Sequence, residues 1–146
     1  MGKIYCWGWN GLGQLGLGFY SNIPMGLRVS TPTGFYASSI SLGVSHSCAE
    51  DLKNMEIICW GSNQFGQIDD SENYSYSEPR KISSDEGDLR IIIGDRHSCF
   101  YSTENDISCR GNIQWDFPTS SKELVGHSSG GGYLCLISIE KSIILK

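Results

Sequence analysis

Residues Ser45 to Gln67 read SHSCAEDLKNMEIICWGSNQFGQ, and most of the remaining chain is a degraded copy of this stretch. It divides into a strand, a turn, a second strand and a glycine-marked loop. His46, Ser47 and Cys48 return as His97, Ser98 and Cys99, while Cys59, Trp60 and Gly61 appear earlier as Cys6, Trp7 and Gly8. Cys6 and Cys59 stand 53 positions apart, and Cys59 and Cys109 stand 50 apart. GVSHSC (43–48), GDRHSC (94–99) and GGGYLC (130–135) each place a glycine five residues before a cysteine. The third follows the second after only 36 positions, so the third unit has lost its loop. A period near fifty residues marks a stacked repeat array. The chain is read as one module, 1–146, with units of about 3–55, 56–106 and 107–146.

The strands within each unit are short and apolar on both parities. Ile4-Tyr5-Cys6-Trp7, Ile57-Ile58-Cys59-Trp60 and the 89–93 run LRIII do not alternate as a half-exposed strand would. They read as strands covered on both faces. No segment shows a 3.6-residue period. An all-β array of antiparallel meanders stacked face to face follows, and at this period a β-propeller is the commonest form. About three blades are present, too few for a closed ring of four to eight.

Residues paired across an antiparallel hairpin have a constant sum of numbers. Pairing Cys48 with Cys59 centres the hairpin between Lys53 and Asn54 and predicts a two-residue turn. Pairing Cys99 with Cys109 centres the next on Glu104, with a three-residue turn at 103–105. A turn at Glu140 sets Leu145 opposite Cys135, which leaves Cys135 and Cys6 as unpaired or inter-blade cysteines. Cross-strand neighbours lie within disulfide range, so Cys48–Cys59 and Cys99–Cys109 are candidate bridges, with small buried thiols as the alternative. A zinc site from His46, Cys48 and Cys59 lacks a fourth ligand and matches no common module, so no metal is expected.

CWGWNGLGQLG (6–16) and CWGSNQFGQ (59–67), with G-x-x-H-S-C upstream, resemble the repeats of the regulator of chromosome condensation family. The resemblance covers residues 3 to 111 and continues only through GGGYLC. It implies four-stranded propeller blades and assigns structural repeat roles to Gly8, Gly61, Gln14, Gln67, His46 and His97. Trp7, Trp60 and Tyr5 are expected in the packing between blades, and His46 and His97 buried with hydrogen-bond partners. Trp9 and Trp115 are the expected exposed contacts, because loop-borne tryptophan is enriched in binding hot spots.

Other motifs carry blander readings. The 11–16 stretch GLGQLG matches a dinucleotide fingerprint, yet FYSNIP comes after it and supplies no helix to hold a pyrophosphate. His127, with Ser128 and Ser129, has no acid or oxyanion device at readable spacing. The acidic runs at 69–72 and 85–88 read as solvated loops. A net charge of −5 with scattered Lys and Arg argues against nucleic acid. No apolar run reaches bilayer length, and no membrane contact is expected. The start, MGKIYCWGWN, has no apolar block; it reads as a cut through a repeat or as the start of a short member. The compartment is left open, with an extracellular or luminal one favoured if the cysteine pairs are oxidised. The expected function is a non-catalytic module, without cofactor, presenting loops to a protein partner, with head-to-tail self-association as a further expectation. The alternative is guanine-nucleotide exchange on a small GTPase, implied by the family resemblance.

Overall fold

The computed structural model describes residues 2–82, 90–101, 107–113, 123–129 and 134–139, the last two stretches as backbone. Their strands form four antiparallel sheets. The first pairs β1 (Tyr5–Asn10) with β2 (Ser21–Arg28). The second is a meander of β3 (Ser39–Leu42), β4 (His46–Asp51), β5 (Glu56–Ser62) and β6 (Ser75–Ile82). The third holds β7 (Arg90–Ile93), β8 (His97–Tyr101) and β9 (Ile107–Gly111). The fourth pairs β10 (Glu123–Ser129) with β11 (Leu134–Ile139). No helix occurs among the described residues. The array is all-β and open, as the sequence pattern implies. The sheets run out of phase with the sequence units, whose boundary at 55/56 falls inside the β4–β5 hairpin.

The both-parity apolar pattern of β5 has a direct cause. Ile57 and Cys59 pack with Ile91, Ile93 and Phe100 of the third sheet. Ile58 and Trp60, on the opposite face, pack with Ile4, Val29 and Phe35 on the side of the first sheet. A strand between two sheets buries every side chain, and each large apolar one contributes about 1.5–3 kcal/mol. Its counterpart β1 differs. Trp7 is 76% exposed and Tyr5 is 58% exposed, whereas Trp60 is fully buried. The expected burial of Trp7 and Tyr5 is therefore corrected: no described sheet covers that face of β1, while the first sheet covers Trp60.

The cysteine register is as the hairpin arithmetic gives it. Cys48 lies opposite Cys59 and Cys99 opposite Cys109, and both pairs are disulfides. The first turn is a correction. Asp51 pairs with Glu56, leaving four residues, 52–55, in the loop. The Asp51 carboxylate accepts hydrogen bonds from the Lys53 and Asn54 amides at 3.0 and 3.2 Å and from Asn54 Nδ2 at 2.7 Å. Met55 closes the turn at φ 53°. An aspartate that caps its own turn holds a wider loop than the cysteine spacing alone suggests. The 103–105 turn and the hairpin around Glu140 lie outside the described residues.

Candidate functional site

The loops between β1 and β2, and between β5 and β6, are built by one device. β1 ends in a bulge at Gly8, φ 122°, and β5 in a bulge at Gly61, φ 96°. A side chain at Gly61 would place its Cβ 2.5 Å from the Ser45 carbonyl, so only glycine fits both the angle and the space. The asparagine two residues on then gathers the loop. Asn10 Oδ1 accepts from the Leu15 amide at 3.0 Å, and Asn63 Oδ1 accepts from the Ile68 amide at 2.9 Å. Gln14 Oε1 accepts from the Leu12 amide at 3.0 Å, and Gln67 Oε1 from the Phe65 amide at 2.9 Å. The W-G-x-N-x-x-G-Q motif is thus a side-chain scaffold for a tight loop. GLGQLG leads into strand β2, not into a helix, and the nucleotide reading has no structural support.

These loops also lock neighbouring sheets together. The Gln14 carbonyl accepts from Trp60 Nε1 at 2.8 Å and Ser47 Oγ at 3.0 Å, both in the second sheet. The Gly18 amide donates to the Ser77 carbonyl at 2.9 Å, and the Tyr20 hydroxyl to the Ser75 carbonyl at 3.2 Å. The first loop is thereby bonded to β6, at the end of the second loop. Phe19 and Tyr20 are exposed on the first loop and Phe65 and Tyr74 on the second, with the Arg96 guanidinium over the Phe65 ring. Asp70 and Glu72 are exposed beside them. Asp69 is inward: burial pushes its carboxyl up, but hydrogen bonds from Ser71 and Tyr76, with Arg80 nearby, hold it below the usual range.

His46 and His97 are both buried. Each ring folds back over the glycine three residues earlier; a Cβ on Gly43 or Gly94 would lie 2.6 or 2.0 Å from the imidazole. This contact is the physical content of G-x-x-H. His46 Nε2 shares a 3.0 Å hydrogen bond with Ser98 Oγ of the third sheet. Burial, and then the neighbouring His97, push its pKa down to about 4, so the ring is neutral at ordinary pH. Burial lowers His97 as well, against the opposing charge of Asp95. Among the described residues no group of three metal-type ligands occurs.

Trp9 is 48% exposed, its ring against Gly11, and lines a groove with Tyr5 and Trp7 rather than standing among the loop aromatics. Trp115 lies outside the described residues. The backbone sets His127 opposite Leu136 and Cys135 opposite Ser128, and their side chains are likewise outside the described set. Cys6 is a free, half-buried thiol. Sequence reasoning missed the Asn10 and Asn63 clamps and the aromatic face. Their signal was available: an asparagine between the bulge glycine and the loop glycine in both copies, and aromatics flanking both loops. It also missed Glu50, a buried carboxylate that accepts from the Ile91 amide at 2.7 Å and ties the second sheet to the third.

Residues 1–49 match the family model of the Regulator of chromosome condensation (RCC1) repeat. The chain is 31% identical over 108 residues to the ultraviolet-B receptor UVR8 of Arabidopsis thaliana, covering 72% of this chain and 24% of that protein. It is 33% identical over 106 residues to alsin of Mus musculus, covering 71% and 6%. The chain thus spans about a quarter or less of these relatives. Among solved structures, Prp20p of Saccharomyces cerevisiae superposes with a TM-score of 0.79 at 13% identity, covering 97% of this chain and 40% of that one. Human WBSCR16 gives 0.79 at 15% identity, covering 94% and 41%. The clamped loops, the glycine-backed histidines and these likenesses agree: the chain carries a regulator of chromosome condensation repeat at residues 1–49 and folds as an open all-β array of the propeller type.

Proposed function

We propose that the chain is a protein-binding module, without catalysis of its own, whose contact surface is the joined loop face carrying Phe19, Tyr20, Phe65 and Tyr74. The observation that carries this reading is the exposure of four aromatic side chains on loops whose backbones are held by buried asparagine and glutamine. Rigid loops lose little entropy on binding, and aromatic side chains dominate interface energetics. The solved relatives offer support of a general kind: Prp20p is described with binding properties to Gsp1p and histones, and yeast RCC1 (Prp20) as bound to Kap60. Two disulfides support an extracellular or luminal setting. Guanine-nucleotide exchange rests on family resemblance alone, and a nucleotide-release assay on a panel of small GTPases tests it separately.

The test of the binding reading compares the chain with a Phe65→Ser/Tyr74→Ser variant as immobilised bait. Both positions are exposed, so the variant should keep its melting temperature. A discrete set of proteins is expected on the original bait and absent from the variant. Recovery of the same set by both baits would overturn the assignment of this face.

A further inference from the structure

The two clamped loops return to their sheets through matching tripeptides, Phe19-Tyr20-Ser21 and Asn73-Tyr74-Ser75. Ser21 opens β2 and Ser75 opens β6. Asn10 Nδ2 donates to the Phe19 carbonyl at 2.7 Å, and Asn63 Nδ2 donates to the Asn73 carbonyl at 3.0 Å. Position 73 therefore serves the loop through its carbonyl, a group that every residue type carries. The first repeat fills the same position with phenylalanine, and both residues are exposed. The Asn73 side chain is thus no part of the device that closes the loop. Its polar contact is a 3.3 Å donation from Nδ2 to the Tyr76 hydroxyl, which itself donates to the Asp69 carboxylate.

The exchange of phenylalanine for asparagine creates an Asn-x-Ser sequence whose middle residue is not proline, the acceptor pattern for N-linked glycosylation. The other asparagines, Asn10, Asn22, Asn54, Asn63, Asn105 and Asn112, have no serine or threonine two positions on. Two of them, Asn10 and Asn63, are the buried clamps. The single acceptor pattern in the sequence therefore falls on an exposed loop, at a position where the fold makes no demand on the side chain. The two disulfides are a second, independent indication. Such bridges persist in the oxidising compartments, where N-linked oligosaccharides are attached.

We propose that Asn73 carries an N-linked oligosaccharide, a reading that rests on the extracellular or luminal setting and is independent of the loop-face contact. Asn73 Nδ2 bonds to the anomeric carbon of an oligosaccharide carried on a polyprenyl diphosphate. The bond from that carbon to the diphosphate oxygen breaks, the polyprenyl diphosphate leaves, and one Nδ2 proton passes to solvent. Transfer takes place on the extended chain, before Ser75 pairs with Ser62 and its hydroxyl meets Tyr20. The glycosylated amide keeps one N–H, enough for the Tyr76 contact, so the folded loop receives the sugar without losing a hydrogen bond. The oligosaccharide then stands next to the exposed Tyr74, at the border of the candidate contact surface.

Peptide mass mapping of the full chain, taken from the cells that make it, tests this. The peptide holding residue 73 should carry an oligosaccharide mass. Peptide N-glycosidase in heavy-oxygen water should replace that mass by a labelled aspartate at the same position. Among variants made in the same cells, Asn73→Gln and Ser75→Ala should each lose the sugar completely. Ser75→Thr should keep it, which a role confined to the Ser75–Tyr20 bond would not predict. Phe19→Asn should add a second oligosaccharide, because the two loops are built alike. A bare Asn73 overturns the proposal, and so does a sugar that survives Ser75→Ala. Alkylation of free thiols in the same sample shows which reading failed. Bridged cysteines with a bare Asn73 overturn the glycosylation alone, whereas free thiols with a bare Asn73 overturn the extracellular or luminal setting as well.

Discussion

At the scale of single residues, Asn63 and His46 make the sharpest claims. Asn63 is buried, and its amide accepts from Ile68 and donates to the carbonyls of Asp69 and Asn73. Asn63→Ala leaves those backbone groups without partners and should cost about 1–3 kcal/mol in denaturant unfolding. A loss below half a kilocalorie would mean that the loop holds itself. His46 titrates near 6.5 when unfolded and at about 4 when folded. Between those values the unfolded chain binds more protons, so stability is full above pH 6.5, falls as the pH drops and levels off below 4. The loss from His46 amounts to about 3 kcal/mol, and His97 adds in the same direction. Stability measured from pH 7 to 4 should show this slope, and His46→Leu should flatten it. An unchanged slope in the variant would place the titration elsewhere.

At the scale of elements, the hairpins and bulges govern. Each disulfide closes a short loop, with sequence separations of 11 and 10. Reduction should therefore cost about 2–3 kcal/mol per bridge on the chain-entropy account. Melting with and without reductant measures this, and equal melting temperatures would show that the bridges add nothing to packing. Two glycines separate the causes of strain. Gly34 has φ 86° with nothing within 4 Å of a built Cβ, so Gly34→Ala should cost only the left-handed penalty, about 1–2 kcal/mol. Gly61→Ala adds a collision with the Ser45 carbonyl and the β4 backbone, and should cost distinctly more. Equal losses at the two positions would show that the bulge relaxes freely.

At the scale of the molecule, the sheets are joined by bonds between residues distant in the chain: Trp60 Nε1 donates to the Gln14 carbonyl, His46 Nε2 pairs with Ser98 Oγ, and the Ile91 amide donates to the Glu50 carboxylate. Glu50→Ala leaves the buried Ile91 amide without its acceptor and should cost about 1–3 kcal/mol in denaturant unfolding. A loss below half a kilocalorie would show that the stacking of the second and third sheets holds without this bond.

What the sequence by itself determined was local and periodic. The constant-sum pairing of cysteines set two hairpin registers because antiparallel partners are tied by chain continuity across a short turn. The both-parity apolar run set β5 between two sheets because a strand so placed has no wet face. The recurrence of W-G-x-N-x-x-G-Q and G-x-x-H set the repeat because each is closed by contacts within a few residues. The tertiary structure alone decided the rest. Trp7 and Trp60 share a motif, yet one is 76% exposed and the other fully buried. That difference depends on whether a neighbouring sheet is present, and no local pattern records a neighbour. Glu50 and Ser98 reach partners 41 and 52 positions away. Such contacts are fixed by how the sheets stack, where side chains distant in the chain meet across one face.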